Sequence, residues 1–374
     1  MSELGLIAIW PNHLQHAESI VVELEEKFSI VNIYDIQWDK KNLYQNFYRF
    51  YGDRLSTKSI KEKTVDDTMF KLIVFEDNKP KHAFRSTARG IEKVNTNFFD
   101  LKKIFRKRFE TRFGIHGSND EVETSRDLSL LLGVNAQDYK KNLKKVWSGK
   151  TIKLDRDVTG INGWDSLEQF FYFMNDVEPY ILLTNFDNFI PGLPVGDDID
   201  IMVSNQKKFA LFANAAKISK GSERVNHRIT VNGKLVDIDI RYVGDDYFDI
   251  HWQKHCMQSR VKHSQGFYVM NEINQYYTML YHSLIHKKNI PRKYQDFFAL
   301  EVKDLKVKLY EFMYENSYGT TEPKDITVYF NKSNGGDIKF SRPRRLRGKK
   351  GVIGFMKKIL YRLNNIIHLR EGPG

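Results

Sequence analysis

Apolar and polar residues alternate in two rhythms along this chain, and the switches between them mark its elements. Leu4 to Trp10 is a short apolar strand stopped by Pro11 and Asn12. From Ala17 to Phe28 the apolar positions are 17, 20, 21, 24 and 28, the spacing of a helix with one buried stripe. Ser29 to Trp38 returns to period two, with Ile30, Asn32, Tyr34 and Ile36 on one side. Asp39 to Tyr51 predicts a polar and aromatic helix. Lys71 to Glu76 predicts a strand, turned by Asn78, Lys79 and Pro80. Phe98 to Phe109 is basic and predicts a helix or a loop. Ile115 to Gly133 then reads as a strand end, a Gly-Ser turn and a helix, with Asn119 or Asp120 as its cap and Glu123 in its first turn.

The lysine-rich, polar segment from Gly133 to Gly160 predicts a domain boundary near residue 150. Beyond it, Asp165 to Phe173 predicts a helix and Tyr180 to Thr184 a strand. A Gly- and Pro-containing loop follows, and then Asp198 to Val203 predicts a second strand. Gln206 to Lys220 is of helix length, Gly233 marks a turn, and Val236 to Val243 (VDIDIRYV) predicts another strand. Tyr247 to Arg260 predicts a polar, aromatic helix. Asn271 to His286 and Leu300 to Tyr314 predict helices, and Asp325 to Phe330 a last strand.

Two strands of this pattern carry unusual chemistry. Gly192 to Val203 reads GLPVGDDIDIMV, so alternation places Asp198 and Asp200 on one face and Ile199 and Ile201 on the other. Asp237 and Asp239 repeat the arrangement downstream. Paired carboxylates suit a hard divalent cation, Mg2+ or Mn2+, whereas histidine suits it poorly. Acidic pairs at strand ends also occur as turn residues or solvated edge charges. The succession of Gly turn, D-x-D strand, helix-length segment and second acidic strand favours a metal-dependent phosphoryl- or nucleotidyl-transfer site. Asp198 and Asp200 are its expected metal ligands, with Asp239 (or Asp237) as third ligand or base. Gly196 and Asp197 are expected at the phosphate-binding turn. His251 with His255, and His282 with His286, fall on shared helix faces. A zinc site there would need further ligands, and packing is the simpler expectation.

Composition narrows the setting. The chain has 374 residues, enough for two ordinary domains, and its 13% aromatic content is that of a folded protein. Its single cysteine, Cys256, excludes an intramolecular disulfide and a cysteine-based zinc site. The start, MSELGLIAIWPNHLQ, lacks a basic, long-apolar leader, and no stretch reaches the ~18 apolar residues of a membrane span, which predicts a cytoplasmic protein. The net charge of +12 falls to +2 without the ten Lys and Arg between Ser341 and Arg370. That tail holds Arg344, Arg345, Arg347, Lys349, Lys350, Lys357 and Lys358. It has an aliphatic stripe from Val352 to Leu369, so it is expected to lie on an anionic membrane surface at the inner face. A polycation tail for nucleic acid needs no such stripe, so nucleic acid is not the expected partner.

Two resemblances follow from these residues. IAIWP at 7–11, LIVFE at 72–76, TN at 96–97, Arg106 and IHGS at 115–118, with Glu123 after them, resemble a nucleoside diphosphate kinase. This resemblance implies a ferredoxin-like domain at 1–150, with His116 as phosphoryl carrier and Arg89, Thr96, Arg106 and Ser118 as phosphate contacts. The family has Lys where this chain has Trp10 and Asn where it has Phe113. The implied domain is therefore a degenerate one, holding a nucleotide or diphosphate. Residues 165–300 resemble the nucleotidyltransferase fold, the DNA-polymerase-β-like palm, through GDDIDIMV and VDIDI. The family's hG-Ser step is replaced by NFDNFIPGLP. The resemblance implies an α+β chain with this fold at 151–340, a helical extension and the basic amphipathic tail at 341–374.

Some members of that superfamily move phospho-alditol or phosphocholine groups from a CDP-activated donor onto surface glycans. The expected partners are therefore a nucleotide-activated donor and a lipid-linked glycan acceptor, in cell-surface polysaccharide synthesis. The alternatives are transfer of a nucleotide to a small molecule or protein, a non-enzymatic nucleotide-binding protein at the membrane, and a phosphohistidine-dependent kinase using His116.

Overall fold

The computed structural model describes residues 2–52, 67–87, 90–143, 147–183, 198–218, 227–288, 298, 302–325 and 327–335. Its first strand, β1 (Glu3–Ile9), is buried on both faces, which requires a layer on each side. Ile7 and Ile9 face a core closed by α1 (Ala17–Lys27), where Ala17, Ile20 and Leu24 form the buried stripe that the spacing predicts. The chain continues through β2 (Ser29–Gln37), α2 (Leu43–Tyr51), β3 (Met69–Asp77) and a separate hairpin of β4 (His82–Thr87) and β5 (Gly90–Asn95). The basic stretch is a helix, α3 (Thr96–Arg108). It buries Phe98, Leu101 and Phe105, and with them Lys102. After β6 (Ile115–Gly117) comes α4 (Glu121–Leu132). Asp120 is its cap, accepting the Glu123 amide at 2.7 Å, and Gly133 ends it in the left-handed region at φ 73°.

A short helix, α5 (Ala136–Lys141), leads to β7 (Thr151–Asp155), which the sequence pattern did not reveal because its side chains are mostly exposed. The first sheet has the order β6-β1-β3-β2-β7. β3 is antiparallel to β1 and β2, β6 is antiparallel to β1, and β7 is parallel to β2. The sheet thus takes in residues past the expected boundary at 150.

The second sheet starts from α6 (Leu167–Val177), capped by Ser166, and β8 (Tyr180–Leu182). Then come β9 (Ile199–Val203) and α7 (Gln206–Ala213). Asn214 stops this helix at φ 52°, well short of Lys220. Next are β10 (Ala216–Lys217), β11 (His227–Val231) and β12 (Lys234–Tyr242), followed by α8 (Ile250–Gln258), β13 (Val261–Lys262), β14 (Tyr268–Val269), α9 (Glu272–Ile285) and α10 (Val302–Asn316). The strand order is β10-β11-β12-β9-β8-β14-β13. The expected strand at 325–330 is instead turn and irregular backbone over its described residues, where Asp325 accepts the Thr327 amide and hydroxyl.

The two sheets share a core. Leu4, Leu6 and Trp10 belong to the same apolar cluster as Phe170, Ile199 and Ile240. Arg49 of α2 crosses between them. It is 1% exposed, its guanidinium donates to the carbonyls of Thr159, Leu211 and Phe212, and the Trp164 and Phe173 rings flank it. A second core on the far face of the second sheet joins Ile181, Leu183 and Met202 to Trp252, Tyr277, Leu284 and Leu309. No described helix is long and apolar enough to cross a membrane. The basic tail at 341–374 lies outside the described residues, with Arg344, Arg345, Arg347, Lys349, Lys350, Lys357 and Lys358.

Candidate functional site

The turn that returns β11 to β12 is Asn232-Gly233, with φ values of 48° and 70°. Positive φ at both positions makes the tight turn whose twist matches a hairpin. It fixes the register of β12, which then lies parallel to β9 with Ile238 opposite Ile199 and Asp239 opposite Asp200. Ile199, Ile201, Ile238 and Ile240 are buried in the shared core. By alternation Asp198, Asp200 and Asp239 project from the other face, the one carrying Met202. Asp239, not Asp237, is the register partner of Asp200. Asp237 is ion-paired with Arg228 of β11 on a more exposed part of the sheet. Gly196 and Asp197 lie outside the described residues.

Asp239 is 2% exposed. Burial pushes its carboxyl up to about 7. The Arg241 guanidinium pulls it down, while the charges of Asp200 and Asp325 push it up further. Arg241, two residues along the same strand, places one terminal nitrogen 2.7 Å from Asp239 and the other 2.7 Å from Asp325. Its guanidinium lies 4.8 Å from the Tyr247 ring centroid. The Tyr247 hydroxyl meets His282 Nδ1 at 2.7 Å, and the His286 ring is 4.3 Å away. His286 is buried, and neither of its ring nitrogens has a hydrogen-bond partner of ordinary geometry.

Three carboxylates on one face have the chemistry a hard cation needs. Among the described residues, though, no group of three or more His, Cys, Asp or Glu side chains is disposed to hold a metal ion. The Asp239 carboxylate is engaged by Arg241. His255 Nδ1 meets the Tyr318 hydroxyl at 2.7 Å, and His282 is engaged by Tyr247. Arg241 could have been found from its i+2 spacing to Asp239. Asp325 gave no signal, because it arrives from a distant turn.

The first sheet presents a different picture around His116. The ring is 7% exposed, with Phe50 and Tyr51 edge-on at 4.9 and 5.6 Å. Its Nε2 lies 2.7 Å from Asp127, which Arg126 also holds at 2.6 Å. Burial lowers the His116 pKa, against the pull of Asp127. Asp127 stays ionised despite its burial, because Arg126 and His116 hold it below the usual range. The proton of neutral His116 therefore sits on Nε2, with the lone pair on Nδ1.

The other residues expected to meet phosphate are engaged elsewhere. Arg106 Nε donates to the Ile115 carbonyl at 2.8 Å. Ser118 Oγ accepts from the Leu6 amide and the Thr124 hydroxyl, and the Thr96 hydroxyl donates to the Lys81 carbonyl. Lys102, beside them, donates to the Gly117 carbonyl at 2.6 Å. Arg89 lies outside the described residues. Trp10, where the kinase pattern has lysine, is fully buried and packs against Trp38, Phe47, Phe50 and Phe70.

No protein-family model matches the chain, and no curated protein matches it in sequence.

Proposed function

We propose that this chain is a metal-dependent transferase of phosphorus-containing groups, acting on a nucleotide-activated donor at the β9–β12 carboxylates. The observation that carries the reading is the parallel register of Asp200 with Asp239, with Asp198 two residues before Asp200 on the same face. Like charges on neighbouring strands are unfavourable without a cation; burial is the main cause of the raised Asp239 carboxyl, and the charge of Asp200 adds to it. When bound, Mg2+ would neutralise the phosphate of the donor and orient its leaving group. Asp198 and Asp200 would hold it, and Asp239 would complete the set or take the proton of an attacking hydroxyl. The hydrophobic backs of both strands fix the backbone, so the carboxylates are set in place before substrate arrives.

The strand succession supports a nucleotidyltransferase-fold assignment for the second sheet. The 4-1-3-2 order of β6, β1, β3 and β2 supports a ferredoxin-like first part. Within the transferase class we place the donor among CDP-activated alditols or cholines and the acceptor among lipid-linked glycans. That choice rests on the sequence resemblance and on the basic amphipathic pattern of the tail. The test is Mg2+-dependent release of CMP from CDP-glycerol or CDP-ribitol by the purified full-length chain. Release of pyrophosphate from a nucleoside triphosphate instead would point to nucleotide transfer onto a small molecule or protein. Neither release, with Asp200→Asn indistinguishable from wild type in nucleotide binding, would sink the transferase reading and leave a non-enzymatic nucleotide binder.

A further inference from the structure

The hairpin of β4 and β5 stands apart from both sheets. Cross-strand pairing puts Arg85 opposite Glu92 and Ala83 opposite Val94 on one face, and Phe84 opposite Lys93 and Ser86 opposite Ile91 on the other. The first face is held to the body. Arg85 donates to both carboxylate oxygens of Asp100 on α3, at 3.3 and 3.0 Å, and Val94 is buried. The second face is bare, with Phe84 69% exposed and Ile91 79%. As diagonal neighbours across two strands, these side chains form one apolar patch. Folding does not require it, because the hairpin is anchored through its other face.

Positive charge surrounds the patch. From Lys79 to Arg112 the sequence has eleven Lys and Arg against three Asp and Glu, and without this stretch the +2 that remains outside the tail becomes −6. Glu92 and Asp100 lie on the inner side of the hairpin with Arg85, and Glu92 also accepts from the Thr87 hydroxyl. The outer face therefore carries Lys93 and no carboxylate of its own, while His82 at its root meets Glu3 at 2.9 Å. Lys79 and Lys81 are exposed where the hairpin begins, and the α3 stripe that starts at Asp100 continues with exposed Lys103, Ile104 and Lys107. We propose that this surface docks on an anionic lipid bilayer, with Phe84 and Ile91 entering the headgroup region and Lys81, Lys93, Lys103 and Lys107 meeting lipid phosphates. The contact is separate from the tail and from the chemistry of the β9–β12 carboxylates. Single exposed apolar side chains are ordinary, but an apolar pair rimmed by cations gives an interface both buried area and attraction to anionic headgroups. A nucleic-acid strand would want flat rings for its bases, and Ile91, the more exposed of the pair, is aliphatic. A second copy would bring two surfaces of like charge together.

The experiment uses the full-length chain. Cys256 is its single cysteine and is buried, so Ile91→Cys offers one site for an environment-sensitive fluorophore. A control label goes on Val122→Cys, a position 76% exposed on α4, which packs against the other side of the first sheet. Each protein is mixed with vesicles of phosphatidylcholine alone, or of phosphatidylcholine and phosphatidylserine in equal parts. Emission from position 91 should shift to the blue with the mixed vesicles only, and emission from position 122 should stay unchanged. In flotation assays Phe84→Ser should weaken binding to the mixed vesicles by about tenfold. Lys93→Gln should weaken it by about fivefold, the scale of one surface cation. Both side chains are exposed, so the circular dichroism of each variant should match wild type. Vesicle binding with no shift at position 91 would put the contact elsewhere, the tail included, and would overturn the proposal. So would an equal shift with neutral vesicles, a shift given by single-stranded RNA and not by lipid, or one that grows with protein concentration alone.

Discussion

Asp200 and Asp239 stand opposite one another on parallel strands, and burial, with the charge of the first added to it, raises the carboxyl pKa of the second. A pair that repels itself in the resting protein is a site kept at the expense of stability. Asp200→Asn should therefore separate the two properties. We expect Mg2+-dependent transfer to fall by roughly a thousandfold, the scale of losing one preorganised charge. The melting temperature should stay level or rise. A drop in both, measured by CMP release and by differential scanning calorimetry, would mean that Asp200 is structural.

His286 makes a pH prediction. Burial lowers its pKa well below the usual value, and the charges of His282, Arg241 and Lys287 push the same way. The unfolded chain therefore takes up a proton that the folded chain refuses. By linkage, stability falls as pH drops below the unfolded value near 6.5. The slope for one such group is about 1.4 kcal/mol per pH unit. His286→Asn lacks this term, so the stability gap between wild type and variant should close between pH 6.5 and pH 5.5. Urea unfolding at the two pH values measures it, and a gap that is constant or widening as pH falls contradicts the burial argument.

Much of this architecture could be read from residue pattern, for a physical reason. α1 buries a periodic apolar stripe and β1 a continuous apolar run, and both patterns are displayed by a single sequence. β2 departs from the expected alternation, because a register shift between Ile30 and Asn32 places Ile30 and Ile33 in one core and Tyr34 and Ile36 in the other. The D-x-D face was legible because alternation is local. Three features were not. β7 exposes most of its side chains and shows no apolar rhythm. The end of α7 is set by one residue at positive φ, Asn214, within a segment of otherwise helical composition. The joining of the two sheets depends on Arg49, whose buried guanidinium finds only backbone carbonyls, and sequence does not announce those. At the candidate site, the pairing of Asp239 with Arg241 was visible as spacing, whereas Asp325 required the folded chain.

Trp10 allows a test of what became of the His116 region. It is fully buried among aromatic rings and donates to the Tyr51 hydroxyl at 2.8 Å. Trp10→Lys puts an ammonium group among buried aromatic rings, and it empties a large volume. We expect a loss of about 3–5 kcal/mol and no acid-labile phosphohistidine after incubation with a nucleoside triphosphate and Mg2+. Wild type should also remain unlabelled, since Phe50 and Tyr51 must part before a phosphate can reach Nδ1 of His116. Stable, stoichiometric label on His116 in either protein would revive the phosphorelay.

Arg49 predicts how the chain unfolds. Its three acceptors belong to the segment after β7 and to the end of α7, so one side chain from the first sheet satisfies carbonyls that support the second. Desolvation lowers its pKa to about 9, so it remains a cation at neutral pH. Arg49→Met keeps most of the volume but leaves those carbonyls buried without donors. The cost should be about 3 kcal/mol, the scale of lost charge-assisted bonds with orphaned partners. Because Leu4, Trp10, Phe170 and Ile240 lie in one continuous core, the loss should move a single transition rather than split it. Far-ultraviolet circular dichroism and tryptophan fluorescence, followed in the same urea titration, check this. Separate midpoints in the wild-type protein would show two independent folding units and remove the structural role given to Arg49.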